Sequence, residues 1–142
     1  MNIPVAIIIY NRYLYLEKLI TKLNDFKISK VYIIADGPKK NNENDKQFVK
    51  KTRLLVEKKL KSKKKIKIYS NKNLGLRKRV ISGLDMVFKM EKKIIILEDD
   101  CIPSKDFFKF MSIMLKKYEK DLKIASICGS NHLSYWPMIK NS

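Results

Sequence analysis

The chain has 142 residues, of which 45% are hydrophobic and 32% charged. That is about one average domain with enough apolar material for a core, which excludes both a disordered chain and a membrane bundle. Its formal net charge is +18, and all but four of its 32 cations are lysines. Sequence-specific DNA readers rely on arginine forks, so lysine in this excess points instead to an AT-rich coding bias, an anionic substrate or an anionic membrane surface.

The first apolar run, Ile3–Tyr10, has the length of a strand rather than of a membrane span. No cationic region precedes it and no small-residue cleavage site follows it, so it does not read as a signal peptide, and a cytoplasmic protein is expected. Further β-branched runs are Val31–Ala35, Ile66–Tyr69 and Ile94–Leu97, with a weaker fifth at Ile124–Cys128. They are continuous rather than alternating, as parallel strands covered on both faces are. Helical spacings of three and four lie between them: Leu16, Leu19, Ile20 and Leu23; Leu76, Val80, Leu84 and Val87, with Gly83 allowing close packing on a sheet; and Phe107, Met111, Met114 and Tyr118. Asp45–Lys61 is more ambiguous, with one apolar face and one nearly all lysine, and Asp36–Asn44 reads as a long loop opening on Asp-Gly-Pro.

The alternation of strands and helices predicts one α/β domain over residues 1–142, a mostly parallel sheet with helices on both faces. Two cysteines, Cys101 and Cys128, are expected to be small buried hydrophobes rather than a bridge, and with the one histidine, His132, they cannot form a Cys/His zinc cluster.

Ligands of open α/β sheets sit at the carboxyl ends of strands where the strand order reverses. If the first three strands are ordered 3-2-1, the fourth pairs with the far side of the first, and Asn11 and Arg12 meet Glu98, Asp99 and Asp100. Three consecutive carboxylates after a buried strand repel one another and resist desolvation, which a hard divalent cation relieves; a solvated acidic loop is the plainer alternative. The Gly-rich dinucleotide fingerprint, the P-loop and the G-x-S-x-G elbow are all missing, leaving metal-bridged diphosphate binding as the chemistry to expect.

Taken in order, Pro4 to Arg12, Ala35-Asp36-Gly37-Pro38, Asn71-Lys72-Asn73-Leu74-Gly75-Leu76, and Ile96-Leu97-Glu98-Asp99-Asp100 with Pro103 and Asp106-Phe107-Phe108 resemble glycosyltransferases of the GT-A fold, family-2-like and of the N-acetylglucosaminyltransferase I type. Ile127-Cys128-Gly129-Ser130-Asn131 looks like the family's next strand and acceptor-side loop. The resemblance implies a nucleotide-sugar donor, with a UDP-sugar expected, a glycan or lipid-linked acceptor, and Mn²⁺ or Mg²⁺. Tyr10, Asn11 and Arg12 would line the nucleoside pocket, and Asp36 would accept a hydrogen bond from the base. Asn73, Gly75 and Arg77 or Arg79 would flank the nucleotide or its diphosphate, Glu98 and Asp99 would approach the ribose or sugar, and Asp100 would hold the metal. Glu-Asp-Asp stands where many members carry Asp-x-Asp.

The catalytic base of inverting members comes from a later segment, and Asp106, Glu119 and Asp121 look like surface charges. The chain is therefore expected to be the donor-binding part of a truncated enzyme, with His132 and Trp136 as weak acceptor-side candidates. The rivals are a nucleotidyltransferase, which lacks its Gly-rich loop here, and a basic module for nucleic acid or anionic membrane. The latter draws on residues 50–67, where ten cations face only Glu57, a stretch that would also suit peripheral membrane contact by an enzyme.

Overall fold

A computed structural model describes residues 3–130, which fall into two units divided after Pro103. The first unit runs β1 (Val5–Ile9), α1 (Tyr13–Asp25), β2 (Lys30–Ala35), α2 (Glu43–Lys59), β3 (Lys64–Tyr69), α3 (Leu76–Phe88) and β4 (Ile95–Glu98). The four strands are all parallel and ordered β3-β2-β1-β4, the order that brings the ends of β1 and β4 together.

Right-handed crossovers explain where the helices lie. The steps β1-α1-β2 and β2-α2-β3 move outward in one direction, so α1 and α2 share a face and pack on each other. The step from β3 back across to β4 reverses direction and puts α3 on the other face, where it packs on β2. Ala6, Tyr32, Ile34 and Ile68 meet Val87 there, with Ile8, Ile66 and Leu84 partly covered beside them. Residues of the opposite parity, Val5, Ile7, Val31 and Ile33, point the other way and are fully buried, so the central strands are apolar on both faces. Gly83 lets α3 approach closely, since a Cβ there would stand 2.4 Å from Ile34 Cγ2. The Tyr32 hydroxyl, buried at the amino end of the sheet, donates to Glu91, which also pairs with Lys30.

Helix α2 starts two residues before the expected position because Asn42 caps it, its side chain accepting from the Asp45 N–H at 2.9 Å. The loop after β2 is correspondingly shorter.

In the second unit α4 (Lys105–Lys117) is capped by Ser104 and carries an edge-to-face Phe107–Phe108 pair. The segment through Gly129 passes against Phe107, leaving no room for a Cβ. The expected fifth strand at Ile124–Cys128 does not form: these residues have no ladder partner among the described residues, and all but Ile127 are exposed. Ala125 and Ser126 at its centre offer little of the pleated-surface packing that makes a strand. The cysteines are a second correction, since Cys101 and Cys128 are both exposed. Cys101 already lies in the turn leaving β4, its N–H bonded to the Glu98 carbonyl, and Cys128 lies in the unpaired segment. Asn131, His132 and Trp136 fall outside the described residues. Among the described residues no helix is long and apolar enough to cross a membrane.

Candidate functional site

Parallel strands deliver their carboxyl ends to one edge, and three clusters form there. The first joins β1 to β4. Arg12, at the N-cap of α1, reaches across to Asp99 Oδ1 at 2.5 Å and donates to Asp100 Oδ2 at 2.8 Å. Asp99 is 1% exposed and also accepts from the Tyr10 backbone N–H. Burial raises the Asp99 carboxyl above the usual carboxylate range, against the pull of Arg12. Burial works against the Arg12 charge too, but Asp99 and then Asp100 outweigh it and keep the guanidinium firmly protonated. Although Oδ1 faces the guanidinium at ion-pair distance, it receives no aligned hydrogen bond.

The second cluster centres on Asp45 in the first turn of α2, buried at 5% exposure. It accepts from the Tyr10 hydroxyl at 2.5 Å, Asn11 Nδ2 at 2.7 Å and the Lys39 N–H at 2.6 Å. Desolvation opposes its charge, but the hydrogen bonds from Tyr10, Lys39 and Asn11 prevail and hold the carboxyl below the usual range. Burial and the neighbouring Asp45 push the Tyr10 phenol upward, so it stays a donor. Asn73 Nδ2 completes the cluster, donating to Tyr10 Oη at 3.2 Å and to the Gly37 carbonyl at 2.9 Å.

The third cluster is Asp36, whose two oxygens accept from the backbone N–H groups of Gly37, Leu74 and Gly75 at 2.9 to 3.2 Å. A carboxylate at the start of α3 is favoured by the helix dipole as well as by these amides. Gly75 holds φ +78° and ψ 156°, a region essentially reserved for glycine, and this aims the amides at Asp36. Arg53 of α2 braces the same corner, donating to the carbonyls of Asp36 and Ser70.

The sheet edge thus brings together Tyr10, Asn11, Arg12, Asp36, Asn73, Gly75, Asp99 and Asp100. Three expected residues stand apart, Arg77, Glu98 and Arg79. Arg77 is exposed on the first turn of α3, and Glu98, opposite Ile8 in register, is exposed on the α3 face of the sheet. Arg79 is buried at 6% exposure and donates to the Ile68 carbonyl at 2.6 Å. Sequence reasoning missed Asp45 and Arg53. Asn42-x-x-Asp45 is a capping pattern that would have signalled the first, whereas Arg53 beside Val49, Thr52 and Val56 on the buried face of α2 carries no such mark.

Among the described residues no three His, Cys, Asp or Glu side chains converge as a metal-binding group. Hard divalent cations commonly take one or two carboxylates and complete their shell with phosphate and water. Asp99 and Asp100 supply the carboxylates of that pattern, and Asp99 Oδ1 has no aligned donor of its own, but Arg12 already neutralises the pair, so an ion there would have to displace it. No protein-family model, no curated protein and no solved structure matches the chain.

Proposed function

We propose that the chain binds a nucleotide-diphosphate sugar, with a UDP-sugar as the expected donor, in the manner of a metal-dependent GT-A glycosyltransferase. The observation that carries this reading is the meeting of Arg12 with Asp99 and Asp100 at the crevice between β1 and β4, where the strand order reverses. The ordered sequence elements resembling that family contribute all three of these residues.

Asp100, with Asp99 beside it, would hold a Mn²⁺ or Mg²⁺ ion, which would supply Lewis-acid neutralisation of charge on the departing diphosphate. The chain's own residues supply the rest. Arg12 exchanges its carboxylate partners for phosphate oxygens, which its forked geometry suits. The Asp36–Gly75 and Asp45–Tyr10 clusters fix the loops that line the nucleoside side, so that little ordering remains for binding to accomplish. The acceptor, glycan or lipid-linked, is engaged from beyond this edge.

Calorimetry with UDP and Mn²⁺ tests the reading. Binding that needs Mn²⁺ and falls at least tenfold in Asp100→Ala supports it; equal binding by both forms refutes it.

A further inference from the structure

Next to the Asp36 corner, α2 and β3 flank an open groove of about 410 Å³ at the carboxyl end of β3, the edge strand. Three cations line it, Lys46, Lys50 and Arg53, against one carboxylate, Glu57. Glu57 is engaged by Lys67 at 2.6 Å and Lys46 pairs with Glu43 at 3.6 Å, so Lys50 and Arg53 are the lining cations without a carboxylate ion pair among the described residues and leave the groove positive. Its floor is preset. Arg53 is held in place by the Asp36 and Ser70 carbonyls and lies over the Tyr69 ring at 4.6 Å. Behind this floor Arg53 Nε and Tyr69 Oη are sealed from solvent with no hydrogen-bond partner among the described residues, so a ligand would meet the outer part of the guanidinium. Val49 and Leu54 give the groove an apolar wall. Lys50 and Arg53 belong to the lysine-rich stretch 50–67, whose charge adds a field that draws anions towards this part of the chain.

We infer that this groove binds a phosphate ester, the phosphate against Lys46, Lys50 and Arg53 and the carbon body against Val49 and Leu54. The volume suits a small phosphorylated molecule. Two sources share that chemistry: a free phosphorylated metabolite, or the headgroup of an anionic lipid presented by a membrane on which the lysine-rich surface rests.

The test uses the whole chain with no nucleotide or metal, so its failure leaves the donor-site reading untouched. Amide resonances of residues 46–57 and 69–71 are followed during titration with glycerol 3-phosphate, and in parallel the protein is co-sedimented with phosphatidic acid vesicles and with phosphatidylcholine vesicles. Lys46→Gln/Lys50→Gln removes two of the three cations, and Lys58→Gln/Lys63→Gln removes the same charge from exposed positions outside the groove. Saturable shifts with glycerol 3-phosphate, weakened at least tenfold only by the groove pair, support a free-ligand site. Binding to phosphatidic acid vesicles alone, lost only in the groove pair, supports a headgroup site. Equal weakening by both pairs, or no phosphate-dependent binding in either arm, overturns the inference.

Discussion

Arg12 lies 2.5 Å from Asp99, so a cation supplied by the chain itself faces a carboxylate that is otherwise almost sealed from water. A divalent ion that uses Asp99 and Asp100 has to compete with that guanidinium. Arg12→Ala is therefore expected to tighten binding of Mn²⁺ alone, while weakening binding of the nucleotide diphosphate. With a partly exposed ion pair worth about 1 kcal/mol, the gain in Mn²⁺ affinity is about fivefold. Electron paramagnetic resonance of free Mn²⁺ measures it, and unchanged or weaker Mn²⁺ binding would count against competition at these oxygens.

The raised Asp99 carboxyl makes a separate prediction about pH. A carboxyl raised in the folded state contributes stability that is fully present below its unfolded value, about 3.9, and lost as pH rises through the folded value. Asp99→Asn keeps the neutral shape, so it should match the native chain near pH 4 and exceed it at pH 7. Urea midpoints at the two pH values decide this. A variant less stable at pH 7 would mean that Arg12 more than compensates for the burial.

Asp45 has the opposite sign. Its carboxyl is held low, so its contribution is present above the unfolded value and lost as pH falls through the folded value. Asp45→Ala, which leaves Tyr10, Asn11 and the Lys39 amide without their acceptor, should cost about 2–4 kcal/mol at pH 7 and less at pH 3. Equilibrium unfolding at both pH values checks the magnitude and the trend.

Gly75→Ala asks for a backbone conformation that an L side chain rarely takes, although open space surrounds the position. The expected loss is about 1–3 kcal/mol, with the Asp36–Leu74 and Asp36–Gly75 hydrogen bonds disturbed together. Thermal unfolding gives the cost, and hydrogen exchange at Leu74 and Gly75 should quicken. Unchanged exchange would show that the turn does not depend on this conformation.

The strand order was legible in the sequence because Ile3–Tyr10, Val31–Ala35 and Ile94–Leu97 are continuous β-branched runs, and right-handed crossovers leave few arrangements for them. That order is what places Arg12 beside Asp99. Boundaries were less legible: strand β3 begins two residues earlier than its apolar run, because Lys64 and Lys65 hydrogen-bond in the ladder while their side chains stay outside the core. The buried polar clusters were the least legible part. Asp36 announces a turn, but nothing local says that its acceptors face Leu74 and Gly75, 38 and 39 residues away. Arg53 and Arg79 look like two more surface cations until the fold supplies the carbonyls of Ser70 and Ile68.

The most direct measurement of the central claim is paramagnetic broadening of backbone amides by Mn²⁺ with UDP, read against Mg²⁺ with UDP. If the nucleotide-bound ion rests on Asp99 and Asp100, the amides of residues 10–12 and 98–100 broaden first and those of residues 61–67 remain sharp. Broadening centred on the lysine-rich stretch, or spread evenly over the chain, would contradict it.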